Sequence, residues 1–492
     1  MHQVSSQRMP DHTVFSVNEK YLLVFLSSST AIWSSFGSPI YYPALQILEG
    51  YFHIDQELVN VSVVVYMVFQ GLSPTFFAAF ADKYGRRPVL LVCLVIFIGA
   101  SIGLAVSNSY ALILVLRCIQ SAGISPAISI SCGVIGDYTL RHERGWYVGL
   151  TTGFTLMGQA FGSLIGAGLI AGFDWRAIFW FLAIGGGVVL ILDSLLLPET
   201  KRSIVGNGSI KPKSIINKSP ILLLPNIQRK WRLNEPDLST KAEQGKIDLL
   251  SSIRILGVPE VSLCLLTGAI HFALWTVQLT ELSDQLSKGY GYSVMKIGLC
   301  YLPGGIGGLF GSFMSGRLLD WYYRRSLKEF EDRQKAGLTG EKEVFNHFKT
   351  RIKIAVPYAL MTDLFTIMFG WCLDQRVHVA SVLVSAFFIS YGCMGVNGIN
   401  TTLLIDLYPS KSSAATSAVN LTRCITGAVF IAALASMNKS MTVGGTFTLL
   451  AALGAVAALL LLIPLKYASG WQLKRKEREE ARKLKAVNAT TN

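Results

Sequence analysis

The sequence predicts an all-α polytopic membrane protein with twelve transmembrane helices in two pseudo-symmetric six-helix bundles. Three observations carry that expectation. The chain of 492 residues is 51% hydrophobic and only 15% charged, with a mean hydropathy of +0.45, which is too apolar for a soluble protein with one core. Twelve stretches have the length, about 18 to 25 residues, that crosses a bilayer's hydrocarbon as a helix. One polar device occurs twice: Asp82-Lys83-Tyr84-Gly85-Arg86-Arg87 and Asp320-Trp321-Tyr322-Tyr323-Arg324-Arg325 each follow an apolar run and set two arginines four and five residues after an aspartate. Each copy stands behind the second span of a six-span set, and a repeated half made of membrane-crossing helices is the pattern of an alternating-access transporter.

Taken in order, residues 1–20 are short and polar and form the N-terminus. Spans near 22–45, 59–80, 89–107, 111–135, 147–171 and 176–197 build an N-terminal bundle over 21–200. No cleavable signal pattern precedes the first span, which is expected to act as its own insertion signal. Residues 201–257 change composition, with Pro212, Pro220, Pro225 and Pro236 among eleven basic residues, and read as a linker between the halves. Spans near 258–282, 297–319, 354–374, 379–404, 414–437 and 443–465 build the C-terminal bundle over 258–465. Between the eighth and ninth spans the charged stretch from Tyr323 to Ala336 suits an interfacial helix. The tail, 466–492, ends in a charge run that reads as a solvated helix or a disordered end.

An even number of spans puts both termini on one side. With the termini, the turns at 83–87 and 141–144, the linker, the 317–353 loop and Lys411 on the cytosolic side, 37 of the 44 Lys and Arg lie there, against Arg176, Lys288, Arg376 and Lys439 outside. This bias fixes both ends in the cytosol. The net charge of +14 then describes loops facing anionic lipid, and nucleic-acid binding is not implied. All eight cysteines fall inside expected spans, with no Cys-x-x-Cys pair and no histidine cluster beside them, so they read as small packing residues; neither disulfides nor a metal site is expected.

Each repeated turn places an aspartate at a helix end ahead of arginines, a charge-assisted clamp that forms in one transporter state and breaks in another. Asp82, Arg86, Arg87, Asp320 and Arg324 are therefore the expected gating residues; topogenic charge that anchors a loop is the plainer alternative. A charge inside a span is expensive and marks function by default. Arg117 lies in the fourth span, where Arg117, Ser121, Ser125 and Ser129 recur every four residues on one face. It reads as a pathway residue for substrate or proton, or as a hydrogen-bonding hub for backbone carbonyls. Arg423 repeats the situation in the eleventh span, beside Thr416, Asn420 and Gly427.

The seventh span carries Thr267, His271, Trp275 and Gln278 on one stripe, with His271 near the midplane. Histidine titrates near neutral pH and suits a proton relay, though a hydrogen-bonding pocket residue has the same pattern. Trp275 offers an aromatic face to a cation, or packs. Gln120, Gln159, Asn397 and Asn400 complete the expected pathway, and Trp33, Tyr41, Tyr42, Tyr66, Gln70 and Tyr301 suit an adaptable pocket with few polar anchors, or ordinary packing. Glu281 and Asp284 end the seventh span on the outer side, as a cation-attracting rim or as solvated caps.

These residues carry a resemblance. ADKYGRRP (81–88) resembles the loop signature of the major facilitator superfamily, and LVLRCIQSAG (114–123) its fourth-helix arginine motif. With DWRAIFWF, LPETKR, GLCYLPGGIGGLFGSFMSGRLLD and LLIDLYPSKSSAATS, the chain is similar to fungal twelve-span drug:proton antiporters, and within them to the quinidine-resistance subfamily, from about Tyr21 to Trp471. The resemblance implies the major facilitator fold and proton-driven export at a fungal plasma membrane, without a cofactor, by a monomer, with cationic drugs and polyamines among the family's substrates. It also puts the sixth and ninth helices at the periphery, so that Asp193 and Asp363 are expected to find local partners or to be protonated. Three departures stand out: Ala78 where the loop motif begins with Gly, Ser121 for a Gly of the arginine motif, and Gln159 for the Pro of the antiporter signature in Gly158-Gln159-Ala160-Phe161-Gly162. The first two keep residues small enough for close helix approach. The third removes an expected helix bend.

Two arginines and almost no carboxylate in the expected pathway favour anions or neutral molecules more than cations. Export of organic anions or weak acids is therefore the competing reading. A membrane enzyme is disfavoured because the chain has no His-Glu-x-x-His, Gly-x-Ser-x-Gly or phosphate loop. A non-transporting membrane sensor is disfavoured by the retained intramembrane arginines and the lack of a long signalling tail.

Overall fold

Hydrocarbon offers backbone N–H and C=O groups no water, so apolar runs of this length satisfy their own hydrogen bonds as helices. The computed structural model describes residues 13–139, 141–231, 233, 236–241, 251–336, 347–407, 412–467 and 470–471, and among them there is helix and turn but no strand. The chain divides into two units, Met1–Ser251 with Leu286–Leu302, and Ser252–Gln285 with Pro303–Asn492. The long helices of the first stretch are α1 (Val17–Phe36), α2 (Gln56–Tyr84), α3 (Arg86–Val106), α4 (Tyr110–Tyr138), α5 (Arg141–Gly172) and α6 (Ala177–Leu196). They are followed by α7 (Pro259–Lys288), α8 (Val294–Lys335), α9 (His347–Asp374), α10 (Val379–Leu407) and α11 (Ser412–Leu460).

Among the described residues, ten helical stretches are long and apolar enough to cross a membrane by length and composition, corresponding to α2 through α11. α1 is absent from that set because Ser27, Ser28, Ser29, Thr30, Ser34 and Ser35 lower its hydropathy. The first expected span ends early, at Gly37, where Pro39 and Pro43 turn the chain into a short 3-10 stretch, Pro39–Ala44. α11 covers both the eleventh and twelfth expected spans, with a break at Thr442 (φ 67°, ψ 168°).

In the first unit, α1 packs along α5 through a row of glycines. A Cβ on Gly158, Gly162 or Gly166 would meet Ser35 and Ile32, Pro39, or Ile40 respectively, so the two backbones touch at three successive turns. α5 runs unbroken past Gln159, as the loss of the proline leads one to expect. Hydroxyls bridge α1 to its neighbours: Ser28 Oγ donates to Thr151 Oγ1 of α5 at 2.8 Å and Thr30 Oγ1 to Asp193 Oδ2 of α6 at 2.6 Å, while Ser131 Oγ of α4 donates to the Ser27 backbone carbonyl at 2.7 Å. In the second unit, α8 meets α10 at Gly307 and Gly311, which face the Phe387 and Tyr391 carbonyls. Stacked rings hold α9 on α10, Phe365 with Phe388 at 4.3 Å and Tyr358 with Tyr391 at 5.5 Å.

The described part of residues 201–241 folds onto the first unit. Trp231 is buried, donates its indole N–H to Glu19 Oε1 at 2.9 Å, and sets its ring edge-to-face on Phe15 at 4.9 Å. Burial pushes the Glu19 carboxyl up, but hydrogen bonds from Ser16, Trp231 and Lys230 outweigh it and hold the group below its ordinary value.

The glycine row makes a direct prediction. Gly162→Leu overpacks the α1–α5 contact and is expected to cost about 1 to 3 kcal/mol or more, whereas Gly168→Leu, with open space at its Cβ, leaves stability nearly unchanged. Melting of the detergent-solubilised variants by fluorescence-detected gel filtration checks this.

Candidate functional site

Gly85 separates α2 from α3 with φ of 110°, a conformation open to glycine, and a Cβ there would run into the Glu199 carboxylate. That break exposes the N-terminus of α3, and Glu199 seats on it. Its carboxylate accepts the backbone N–H of Arg86 at 2.9 Å and Arg87 at 3.2 Å, and those of Thr200 and Lys201 at 3.0 and 2.9 Å. An anion at a helix N-terminus meets unpaired N–H groups and the positive end of the dipole. Burial pushes the Glu199 carboxyl up, and its backbone donors draw it back only part of the way.

The two arginines then diverge. Arg86 is buried and bridges Asp82 on α2 (2.9 Å) and Asp137 on α4 (3.1 Å), while Lys201 adds a second cation to Asp82 at 2.6 Å. Gly133 makes room for it, since a Cβ there would press on the guanidinium. Arg87 spends its donors on carbonyls: Nε on Leu197 at 2.8 Å, NH1 on Ile216 at 2.5 Å and NH2 on Ser194 at 2.6 Å. Thus Asp82, Arg86 and Arg87 come together with Asp137 and Glu199, two acids that sequence reasoning missed. Their signals were the LPETKR stretch and an aspartate at the end of the fourth span.

The second copy is built differently. Asp320 and Arg324 lie exposed on α8, and among the described residues neither has an ion-pair partner. The physical reason is the residue at the Gly85 position, which is Tyr323. Without a glycine the helix runs straight through to Lys335, no new N-terminus forms, and Arg325 pairs only with Glu329 along the same helix at 3.1 Å. The sequence repeat is therefore not a structural repeat at this turn.

Arg117 on α4 is 1% exposed. Its guanidinium sits 4.1 Å from the ring centres of both Tyr41 and Tyr66, a desolvated cation–π cage. NH1 donates to the Gly37 carbonyl at 3.1 Å and to Gln120 Oε1 at 3.0 Å, and Gln120 Nε2 passes the chain on to Ser101 Oγ at 2.9 Å. Nε and NH2 have no hydrogen-bond partner, and among the described residues no carboxylate pairs with the charge. Gln159 lies half-buried on α5 next to the glycine row.

In the second unit the expected α7 stripe is buried. Thr267 Oγ1 donates to the Ala457 carbonyl of α11 at 2.8 Å, and Trp275 Nε1 to Ser390 Oγ of α10 at 3.0 Å. Gln278 is fully buried with neither amide atom bonded. Asn400 Nδ2 reaches the Cys264 carbonyl of α7 at 3.0 Å, and Asn397 Nδ2 the Cys393 carbonyl on its own helix at 3.0 Å. Arg423 is half-buried, tethered to Asn420 Oδ1 at 3.0 Å, and lies 4.9 Å from the Phe272 ring centre. His271 Nε2 stands 3.3 Å from Asp363 Oδ1 of α9, a pairing of two groups that the sequence showed only singly.

The asymmetry between the two turns is testable by thermal melting. Glu199→Gln removes the charge from the α3 cap and is expected to cost about 1 to 3 kcal/mol; Asp320→Asn and Arg324→Gln leave the midpoint in place. Equal losses at both copies would show that the second turn is clamped like the first.

Residues 24–431 match the model of the Major Facilitator Superfamily. The chain is 48% identical to the Multidrug transporter AQR1 of Candida glabrata, over 96% of this chain and 80% of that protein. It is 42% identical to Quinidine resistance protein 1 of Saccharomyces cerevisiae, over 93% of this chain and 85% of that one. Among solved structures, the xylose transporter XylE from E. coli shares the fold at a TM-score of 0.63 with 14% identity, covering 90% of this chain and 97% of XylE. The apolar helices, the buried intramembrane arginine and these matches agree: the chain is a multi-pass membrane transporter of small molecules, not an enzyme, and it belongs to the major facilitator superfamily.

Proposed function

We propose that this transporter is a proton-coupled exporter of amphiphilic drugs or polyamines, working by alternating access in the plasma membrane with both termini in the cytosol. The names of its relatives, a multidrug transporter and a quinidine resistance protein, support the substrate class. The lopsided Lys and Arg distribution supports the orientation. In this reading the chain divides into an N-terminal bundle over 21–200, a cytosolic segment over 201–257 and a C-terminal bundle over 258–465, with short ends at 1–20 and 466–492. The Asp82–Arg86–Asp137 network is the gate, closed in one state and parted in the other. Asp320 and Arg324 contribute less, being unpaired where Arg86 is clamped on both sides.

The observation that carries the pathway reading is Arg117, a buried cation held by two tyrosine rings with two guanidinium N–H groups unbonded. A group this costly in a span serves an oxygen-bearing substrate or the coupling step. The same observation favours a second reading, export of organic anions or weak acids, because a cation without an acid partner draws negative charge. Gln120, Gln159, Trp275, Gln278, Asn397, Asn400, Asn420 and Arg423 supply the remaining polar and aromatic contacts. No cofactor enters either reading; the proton gradient supplies the free energy.

Flux in proteoliposomes of known orientation separates the two. Labelled quinidine, spermine and a weak organic acid are compared with and without an imposed pH gradient. Movement of quinidine or spermine against the gradient, abolished by a protonophore, supports drug export; movement of the acid alone replaces it with the anion reading. In the same assay Arg117→Lys, which offers a point ammonium in place of a flat guanidinium, is expected to lower flux about tenfold or more, and Arg117→Gln to abolish it. Unchanged flux in both variants, with normal insertion, would remove Arg117 from the pathway.

A further inference from the structure

His271 and Asp363 form a closed proton site inside the second unit. They come from α7 and α9, and are 0% and 5% exposed. His271 Nδ1 lies 2.7 Å from the Thr267 carbonyl, and a carbonyl only accepts, so Nδ1 carries a hydrogen and Nε2 is the nitrogen left to take up or release a proton. Nε2 faces Asp363 Oδ1 at 3.3 Å. Among the described residues neither carboxylate oxygen receives a hydrogen bond and Nε2 has no hydrogen-bond partner, so the two groups face each other at ion-pair distance only. The packing holds this arrangement tightly: Thr267 is pinned to the Ala457 carbonyl at 2.8 Å, and Gly454 of α11 presses so close that a Cβ there would meet Asp363 Oδ1.

A structural ion pair satisfies its spare lone pairs with donors. This pair leaves them bare. With one proton it is neutral, whether the proton sits on the carboxyl or on the imidazole; without it, a net negative charge remains, and among the described residues Asp363 has no ion-pair partner besides His271. Among the described side chains, the other titratable or charged groups on the surrounding helices are Cys264 on α7, Tyr358 and Cys372 on α9, Tyr391 and Cys393 on α10, and Arg423 and Cys424 on α11, with Asp284, Lys288, Arg351, Lys353, Asp374 and Lys439 toward the helix ends or the Thr442 break, and none bonds to either member. Glu260 and Glu281 stand about 15 Å or more away along α7. Burial in a medium of low polarity makes a net charge costly, and one proton on the pair cancels it.

We propose that His271 and Asp363 together carry the coupled proton of the transport cycle. The proposal rests on the proton-coupled exporter reading and deepens it. In the loaded state the pair holds one proton, on the carboxyl or on Nε2; on release it passes to water and Asp363 is left as carboxylate beside a neutral imidazole. The unloaded unit then carries a negative charge whose field attracts a cation, and reloading cancels it. Proton and cationic substrate thereby compete through the field, without sharing a contact. Asp193 is the contrasting acid: its Oδ1 is also without a partner, but its Oδ2 accepts from the Thr30 hydroxyl at 2.6 Å, which ties it to α1, and among the described residues no imidazole pairs with it.

Two measurements on the full-length protein test this. In pH-dependent infrared difference spectra, a protonated-carboxyl band is expected to titrate in the wild type, vanish in Asp363→Asn, shift in His271→Asn and persist in Asp193→Asn. Gly454→Ala, which keeps both groups but pushes on Oδ1, moves its midpoint. A titrating band untouched by the two pair variants and lost in Asp193→Asn overturns the proposal. In proteoliposomes loaded with quinidine, Asp363→Asn and His271→Gln are expected to lose accumulation driven by a pH gradient while keeping quinidine exchange without one. Wild-type accumulation that survives in both variants also overturns it. A wild type that neither accumulates nor exchanges quinidine sinks the exporter reading instead, and the infrared result then decides the pair by itself.

Discussion

Charge taken out of water, within a span or in a packed turn at its end, has to be compensated by something nearby. The structure solves this in several ways. Arg86 is neutralised by two carboxylates, Arg87 by three carbonyl oxygens, and Arg117 by the faces of two tyrosines. These solutions differ in reversibility. Carbonyl oxygens of a folded segment are permanent partners; a carboxylate on a neighbouring helix is lost when that helix moves; a ring face neutralises charge but leaves N–H donors available. Arg87 thus has partners of the permanent kind, Arg86 partners of the kind that can part, and Arg117 a cage that leaves two guanidinium nitrogens unbonded.

The same constraint decides how the helices approach. In lipid there is no water to expel between them, so close contact comes from small residues and short hydroxyl bridges. α1 is the clearest case: Ser28 and Thr30 lower its hydropathy yet reach α5 and α6 through their hydroxyls, and its Ser27 carbonyl receives a hydroxyl from α4. The α8–α10 contact in the second unit uses glycines against carbonyls to the same end.

Much of this was legible in the sequence. The twelve spans follow from apolar run length, and the arginine turn and the fourth-span arginine follow from the rarity of charge in such runs. What stayed hidden were partners. Asp137 and Glu199 lie far along the chain from Arg86, and Asp363 sits 92 residues beyond His271; no local periodicity relates them. The two Asp-x-x-x-Arg-Arg turns read as equals because the charges match. Their difference lies in the uncharged residue between, Gly85 against Tyr323, which decides whether the helix ends there. The break in α11 at Thr442 was likewise invisible as a single element, because two apolar runs read as two spans whether or not the helical hydrogen bonding nearly bridges them.

Thr442 holds a backbone conformation that side chains with a branched β-carbon rarely adopt. Its hydroxyl accepts from the Gly445 N–H at 3.4 Å, so the residue that interrupts one helical limb also starts the next. A joint of this kind has almost no length. The two apolar limbs of α11 follow one another with a single residue out of helical conformation, so the joint between them is set by one φ/ψ pair rather than by a loop.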